Sequence, residues 1–372
     1  MMTGSLYESI LAESVLDEHL LAIARKIFGE QRISEAEGIL LFEKAEPGFL
    51  GILADHVRKL TNGDHAYYIR NFHIEPTNIC VNKCSFCSYS HHFSRVKWEL
   101  TVDEILDKVE QQPPDIRELH ITGAVHPDRD IYYYGELLKK IKGIRPELHL
   151  KAYSAVELDY MIRKSGMSFT EGLSYLKSCG LDSIPGGGAE IFDETIRSRI
   201  CGMKTGSADW LEIHETAHKL GLPSNATMLY GHTETFTHRI GHLERLRKLQ
   251  DKTRGFNAFI PLKFHQSNNE MAGVPEVSVV EDMKMYAIAR IYLDNYPHIK
   301  AYWPALGKKM AQLSLSFGVD DMDGTINDST RIYSLAGAEE KSPVMTVAQM
   351  ITLIQEANRL PVERDSCYQR VK

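Results

Sequence analysis

The chain has 372 residues, 43% hydrophobic and 25% charged, with a formal net charge of −7. That is an ordinary soluble composition, long enough for one large barrel with additions or for two domains, and its acidic balance removes nucleic acid and anionic membranes as obvious partners. No apolar run approaches a membrane span, and Glu8, Glu13, Asp17 and Glu18 interrupt any signal-peptide core. Cys179, Cys201 and Cys367 are scattered singly, so no disulfide framework is present and a cytoplasmic location is expected.

Residues 1–65 read as a helical cap. Leu6, Ile10, Leu11 and Val15 repeat at helical spacing, and Leu20, Leu21 and Ala24 begin a second stripe. Ser34-x-x-Glu37 is a capping box opening a third helix. From Ala66 short extended runs at 67–76, 118–123, 149–154, 183–187, 224–230 and 256–262 alternate with helices. Capping boxes at Thr101-x-x-Glu104, Ser168-x-x-Glu171 and Ser278-x-x-Glu281 open three of those helices. The last carries Val280, Met283, Ala287 and Ile291 on one stripe. This alternation predicts an α/β fold, a partial (βα)6 TIM-like barrel over 66–297 with chemistry at the C-terminal ends of its strands. Residues 298–372 form a mixed extension packing on the barrel. Asp320-Asp321-Met322-Asp323-Gly324 within it reads as a solvated acidic turn. It fails the calcium-loop pattern, with Val319 first and Thr330 last. Thr346-x-x-Gln349 opens a terminal helix.

At the end of the first strand stands Cys80-x-x-x-Cys84-x-x-Cys87, in a polar loop that Asn78 helps to turn. Three thiolates with no fourth cysteine nearby leave one iron of a 4Fe–4S cube open. An open iron can chelate an amine and a carboxylate, such as the methionine end of S-adenosylmethionine. Phe86 and Tyr89 flank the third cysteine. Three other readings stand beside this one: a Cys3His zinc site recruiting His91 or His92, a ferredoxin-type electron carrier, which needs a fourth cysteine, and unligated core thiols.

Later strand ends carry further candidates. Thr122-Gly123-Ala124 follows the second strand, Ser154 and Glu157 the third, and Pro185-Gly186-Gly187-Gly188-Ala189-Glu190 the fourth. Glycines there suit close backbone approach to a ligand, and Glu190 suits ribose hydroxyls. Asn225, Thr227, Tyr230, His232, Glu234, Lys263, His265, Gln266, Asn268 and Asn269 cluster Lys, His and Asn near the barrel mouth. Such a cluster fits a carboxylated substrate. His214-Glu215-Thr216-Ala217-His218 spells the zinc-protease motif. Trp210, Ile213, Ala217 and Leu220 make a packing stripe through it, so we read it as an outer barrel helix with the histidines on its flank.

The cysteine spacing with its flanking aromatics resembles the radical S-adenosylmethionine (radical SAM) superfamily. Within that superfamily the segments 73–78, 181–192, 224–232, 255–262, 293–301, 323–325 and 361–365 resemble the aminofutalosine synthases of the futalosine route to menaquinone, and the likeness runs from about Gly29 to near the C-terminus. It also touches the dehypoxanthine futalosine cyclases and the deazaflavin-cofactor synthase subunits. The resemblance implies that Cys80, Cys84 and Cys87 bind one 4Fe–4S cluster. It implies that Phe86, Tyr89, Thr122, Gly123, Ser154 and Glu190 line an S-adenosylmethionine site. His73, Asn225, His232, His265, Asn268 and Arg364 become candidates for the substrate and its carboxylates. The implied reaction adds a 5′-deoxyadenosyl radical to the enol ether of 3-(1-carboxyvinyloxy)benzoate, with aryl migration and loss of the carboxyl group as CO2 or bicarbonate. The adenosyl group stays in the product, aminodeoxyfutalosine, and methionine leaves. A reducing donor such as flavodoxin or ferredoxin supplies the electron.

Overall fold

The computed structural model describes residues 17–371 except 95, 327–330 and 342. The helix expected from Leu6 to Val15 lies outside the described residues. Nine strands are present among the described residues: β1 His65–Ile69, β2 Asn71–Ile74, β3 Glu118–Ile121, β4 His149–Ala152, β5 Ser224–Tyr230, β6 Phe256–Lys263, β7 His298–Ile299, β8 Asp321–Gly324 and β9 Leu360–Glu363. Every pairing between them is parallel. They form three sheets, ordered β8-β1-β9, β2-β3-β4 and β5-β6-β7. Single parallel bridges join them into a ring: Lys151 to Ser183, Ile184 to Ser224, and Lys300 to Asp321. Arg70 alone separates β1 from β2, and β8 pairs with β1 through Tyr67–Asp321 and Ile69–Gly324.

The parallel α/β barrel is therefore as expected, and β7 and β8 from the C-terminal extension carry it round to its starting strand. The run at 183–187 contributes only isolated bridges, because Pro185 has no N–H and three glycines follow. The segment 320–324 is a correction. It is a buried strand rather than a solvated turn, with Asp320 and Asp321 both 0% exposed. Each acid meets a cation from elsewhere in the chain: Asp320 meets Arg290, Asp321 meets Arg364, and Asp323 meets Lys300, with the His298 ring also against Asp320. Buried carboxylates persist only when so paired.

Capping boxes are formed at Ser34, Thr101, Ser168 and Thr346. Ser278 caps helix Val279–Tyr292 through its side chain alone, and Val280 on the expected stripe is half exposed. The N-terminal helices Glu35–Lys44 and Pro47–Asn62 lie against outer barrel helices Phe236–Thr253 and Val279–Tyr292, and Glu18–Phe28 packs on those two N-terminal helices. Gly38 marks how close that contact is, since a Cβ there would stand 2.7 Å from Ile240 Cδ1. Leu119, Ile121, Leu150 and Ala152 face the surrounding helices and are fully buried, so the alternate side chains of β3 and β4 point into the barrel.

Candidate active site

One cavity of about 270 Å³ occupies the barrel and opens at the C-terminal ends of its strands. Cys80, Cys84 and Cys87 line it together. Their loop is held by backbone bonds from Val81 N to Val125 O, 2.9 Å, from Ser85 N to Ile200 O, 2.8 Å, and from Cys87 N to Cys84 O, 3.1 Å. The Tyr89 hydroxyl donates to Thr77 O at 2.8 Å, tying the loop's exit to its entry. Burial pushes all three thiols above the ordinary range, against the nearby Lys204 ammonium. None is in a disulfide. The histidines that would complete a zinc site are engaged with Cys80 backbone: His91 Nδ1 accepts from its N–H at 3.2 Å, and His92 Nε2 lies 3.0 Å from its carbonyl oxygen. Three desolvated, uncrosslinked thiols on one wall fit a cluster that neutralises thiolates by coordination.

Above the cysteines the rim is built from strand ends. Gly123 sits close to the backbone of the first strand's end, where a Cβ would meet Thr77 O at 3.1 Å and Pro76 Cδ at 3.2 Å. Its N–H donates to Glu157 Oε1 at 3.2 Å. Ser154 caps helix Ala155–Lys164 and also lines the cavity, its N–H and Oγ donating to Glu157 Oε2 at 2.8 and 2.7 Å. Thr122 Oγ1 donates to the same oxygen at 3.3 Å. Burial pushes the Glu157 carboxyl up to about 7, opposed by these donors. The three glycines differ in purpose. A Cβ on Gly186 would sit 2.6 Å from Asn225 O, Gly188 has φ +86°, and Gly187 has room and faces the cavity. Glu190 pairs with the buried Lys204, whose ammonium stands 5.3 Å from the Phe86 ring centre. Burial alone would pull Lys204 down, but the Glu190 carboxylate holds it above the ordinary lysine range.

At the other end, the barrel floor is charged. Glu118 and Lys151 pair at 2.7 Å, and so do Lys300 and Asp323. His73 and His120 lie edge to face between them, ring centres 4.4 Å apart. Burial pulls His73 down to about 4 and holds His120 well below its usual value, so both are neutral near pH 7. Glu75, one residue beyond β2, accepts from the N–H groups of Arg331 and Ile332 at 2.9 and 3.4 Å, and burial pushes it up to about 8.

Of the residues singled out in the sequence, the structure brings Cys80, Cys84, Phe86, Cys87, Tyr89, Thr122, Gly123, Ser154, Glu190, His73, Asn225 and His265 to this one cavity. Three others stand elsewhere. Arg364 is fully buried and committed to Asp321 at 2.7 Å, with its guanidinium 4.1 Å from the Tyr368 ring. His232 is turned to Leu229 O at 3.1 Å and to Glu234 at 3.2 Å. Asn268 donates to Leu335 O at 2.8 Å and so fastens residues 331–338, whose Tyr333 and Ala336 line the mouth. In the zinc-protease-like segment, helix Ser207–Lys219, His214 Nδ1 and His218 Nε2 each lie 2.8 Å from the Ser224 hydroxyl, which bridges them. Glu215 pairs outward with Lys219 and Lys252. Contrary to the sequence expectation, His214 is wholly buried rather than on the flank. Sequence reasoning missed Lys204, Glu75 and the floor residues Glu118, His120, Lys151, Lys300 and Asp323. A polar–apolar alternation along β3 and β4 was the available signal.

The sequence model described as the radical SAM superfamily matches residues 74–246, and that of the CofH/MqnC C-terminal region matches residues 253–372. An aminodeoxyfutalosine synthase of Thermus thermophilus is 40% identical over 364 residues, covering 96% of this chain and 97% of the relative. A 5-amino-6-(D-ribitylamino)uracil–L-tyrosine 4-hydroxyphenyl transferase of Archaeoglobus fulgidus is 40% identical over 321 residues, 85% of this chain and 92% of the relative. Among solved structures, methylornithine synthase superposes with a TM-score of 0.73 at 15% identity, covering 91% of this chain and 97% of that one, a likeness of fold. With three cysteines converging on the mouth of a parallel barrel and near-full-length relatives of this kind, the chain belongs to the radical SAM superfamily.

Proposed function

We propose that this protein is a radical SAM aminodeoxyfutalosine synthase, joining the adenosyl group of S-adenosylmethionine to 3-(1-carboxyvinyloxy)benzoate. The observation that carries the reading is the 40% identity to an aminodeoxyfutalosine synthase across 96% of the chain, together with three thiols on the cavity wall, Cys84 buried and Cys80 and Cys87 half-buried. Cys80, Cys84 and Cys87 would hold a 4Fe–4S cluster. When bound, that cluster supplies the single electron, taken from a flavodoxin- or ferredoxin-type donor, that splits S-adenosylmethionine and lets C5′ add to the enol-ether carbon. The chain's own task is positioning and exclusion. Tyr89 and its bond to Thr77 fix the cysteine loop. Phe86, Thr122, Gly123, Ser154 and Glu190 form the rim on which the co-substrate lies, and the Glu190–Lys204 ion pair keeps a fixed dipole beside it. The polar cavity interior, with Asn225, His73 and His265, receives the carboxylated aromatic. Burial of the site keeps water from reactive intermediates.

Anaerobic, reconstituted protein incubated with both substrates and a reductant should form the adenosylated product and methionine, with little free 5′-deoxyadenosine. The Archaeoglobus relative favours a second reading, transfer of a 4-hydroxyphenyl group from tyrosine. That reading, like the cyclase alternative, predicts release of 5′-deoxyadenosine, and product analysis by mass spectrometry separates them from the synthase.

A further inference from the structure

Closed (βα)8 barrels fill their interior with layers of bulky branched side chains. Here the corresponding layer is His73, Glu118, His120, Lys151, Lys300 and Asp323, all on the cavity wall. Placing six ionisable groups in a barrel interior is expensive unless each is satisfied, and the donors are only partly satisfied. Lys151 Nζ bonds Glu118 at 2.7 Å, and Lys300 Nζ bonds Asp323 at 2.7 Å. An ammonium carries three N–H groups, so among the described residues each lysine keeps donors in hand. His120 Nε2 is buried with no hydrogen-bond partner among the described residues. The layer thus presents surplus donors to an enclosed space, while both carboxylates are already committed to the lysines. A ligand that answers it must bring acceptors, and a carboxylate brings about four lone-pair sites.

The position is also right for one end of an aromatic acid. His120 precedes Gly123 by three residues, roughly 10 Å along a strand. The rim that carries the cysteines and the floor that carries the donors are therefore separated by about the length of a substituted benzoate.

We propose that this inner layer is a carboxylate-binding subsite, in which His120 Nε2 and the spare N–H groups of Lys151 and Lys300 hold the ring carboxylate of the substrate while its enol ether faces the rim. The subsite rests on the synthase reading for the identity of the acid. It assigns the anchoring role to residues inside the strands, in place of His232, Asn268 and Arg364.

The test is equilibrium binding to the cluster-loaded, S-adenosylmethionine-bound protein, using 3-(1-carboxyvinyloxy)benzoate and its ring carboxamide. The wild-type protein should bind the diacid more tightly than the carboxamide by on the order of ten-fold or more, the worth of a charge-assisted hydrogen bond. His120→Asn, which leaves both ion pairs intact, and Lys300→Met should each weaken diacid binding and erase most of that preference, with iron content and S-adenosylmethionine affinity unchanged. If the wild-type protein binds the two ligands equally, or if His120→Asn keeps the full preference, the subsite is wrong. A purely structural role would weaken both ligands alike, which also overturns it. Should the wild-type protein discriminate as expected yet form no adenosylated product, the synthase reading fails and the subsite stands.

Discussion

Replacing Arg364 with Met separates a structural guanidinium from a substrate-binding one. Arg364 and Asp321 are both 0% exposed, and their contact is 2.7 Å. Removing the cation leaves Asp321 charged in the interior, since Lys300 is committed to Asp323. Breaking a buried pair in this way costs ~3–5 kcal/mol, a large part of the 5–15 kcal/mol of roughly typical domain stability. With a urea slope near the upper part of the ~1–3 kcal/mol/M range, the midpoint should fall by about 1–2 M. The acid limb reports the same pair. Burial works to raise Asp321, but Arg364 holds it down at about 2, below its ordinary 3.8. The stability from this depressed carboxyl is present above pH 4 and is lost as pH falls through 2. Arg364→Met should remove that acid-side loss, and Asp321→Asn combined with Arg364→Met should recover much of the midpoint. Urea titrations at pH 7 and pH 3 measure both effects. An unchanged midpoint, together with weakened substrate binding at full iron content, would refute the reasoning and return Arg364 to the cavity.

Changing any one of Cys80, Cys84 or Cys87 to Ala should abolish iron and sulfide loading and the brown colour while leaving the far-ultraviolet circular dichroism unchanged. Retained iron in any of the three would contradict the cavity assignment. Ser224→Ala should destabilise the chain by ~1–3 kcal/mol in urea unfolding, because the buried His214 and half-buried His218 imidazoles lose their shared partner; S-adenosylmethionine cleavage should be unaffected, and bound zinc should be absent before and after. For Glu75, burial raises the carboxyl to about 8, so its share of stability is full below about pH 4.5 and is lost as pH rises through 8. The slope is up to roughly 1.4 kcal/mol per pH unit, and thermal unfolding between pH 5 and 9 should show Glu75→Gln flattening that decline.

The convergence of Cys80, Cys84 and Cys87 on one cavity wall was legible because the three lie within one short loop. Helix starts were legible because a capping box is a four-residue affair. Strand β8 was not, since Asp321-Met322-Asp323-Gly324 looks like a surface turn until Arg364 and Lys300 are brought to it. The inner layer was missed for a related reason. In Glu118-Leu119-His120-Ile121 the polar side ordinarily marks the solvent face, yet here it faces the cavity, with Leu119 and Ile121 buried under helices. Asn268 and His232 were sensible mouth residues by position in the chain, and only side-chain direction, which sequence does not carry, turned them to backbone carbonyls.

The pairing of the first strand with the eighth bears on biogenesis. Thr325 Oγ1 bonds Asn71 O across 254 positions of sequence, so the ring stays open on the ribosome until nearly the whole polypeptide has emerged. At about 5–20 residues per second, Cys80, Cys84 and Cys87 spend on the order of ten seconds or more outside the exit tunnel before the ring closes. Nascent chains halted before β8 therefore carry the three cysteines in a barrel that is still open along one side.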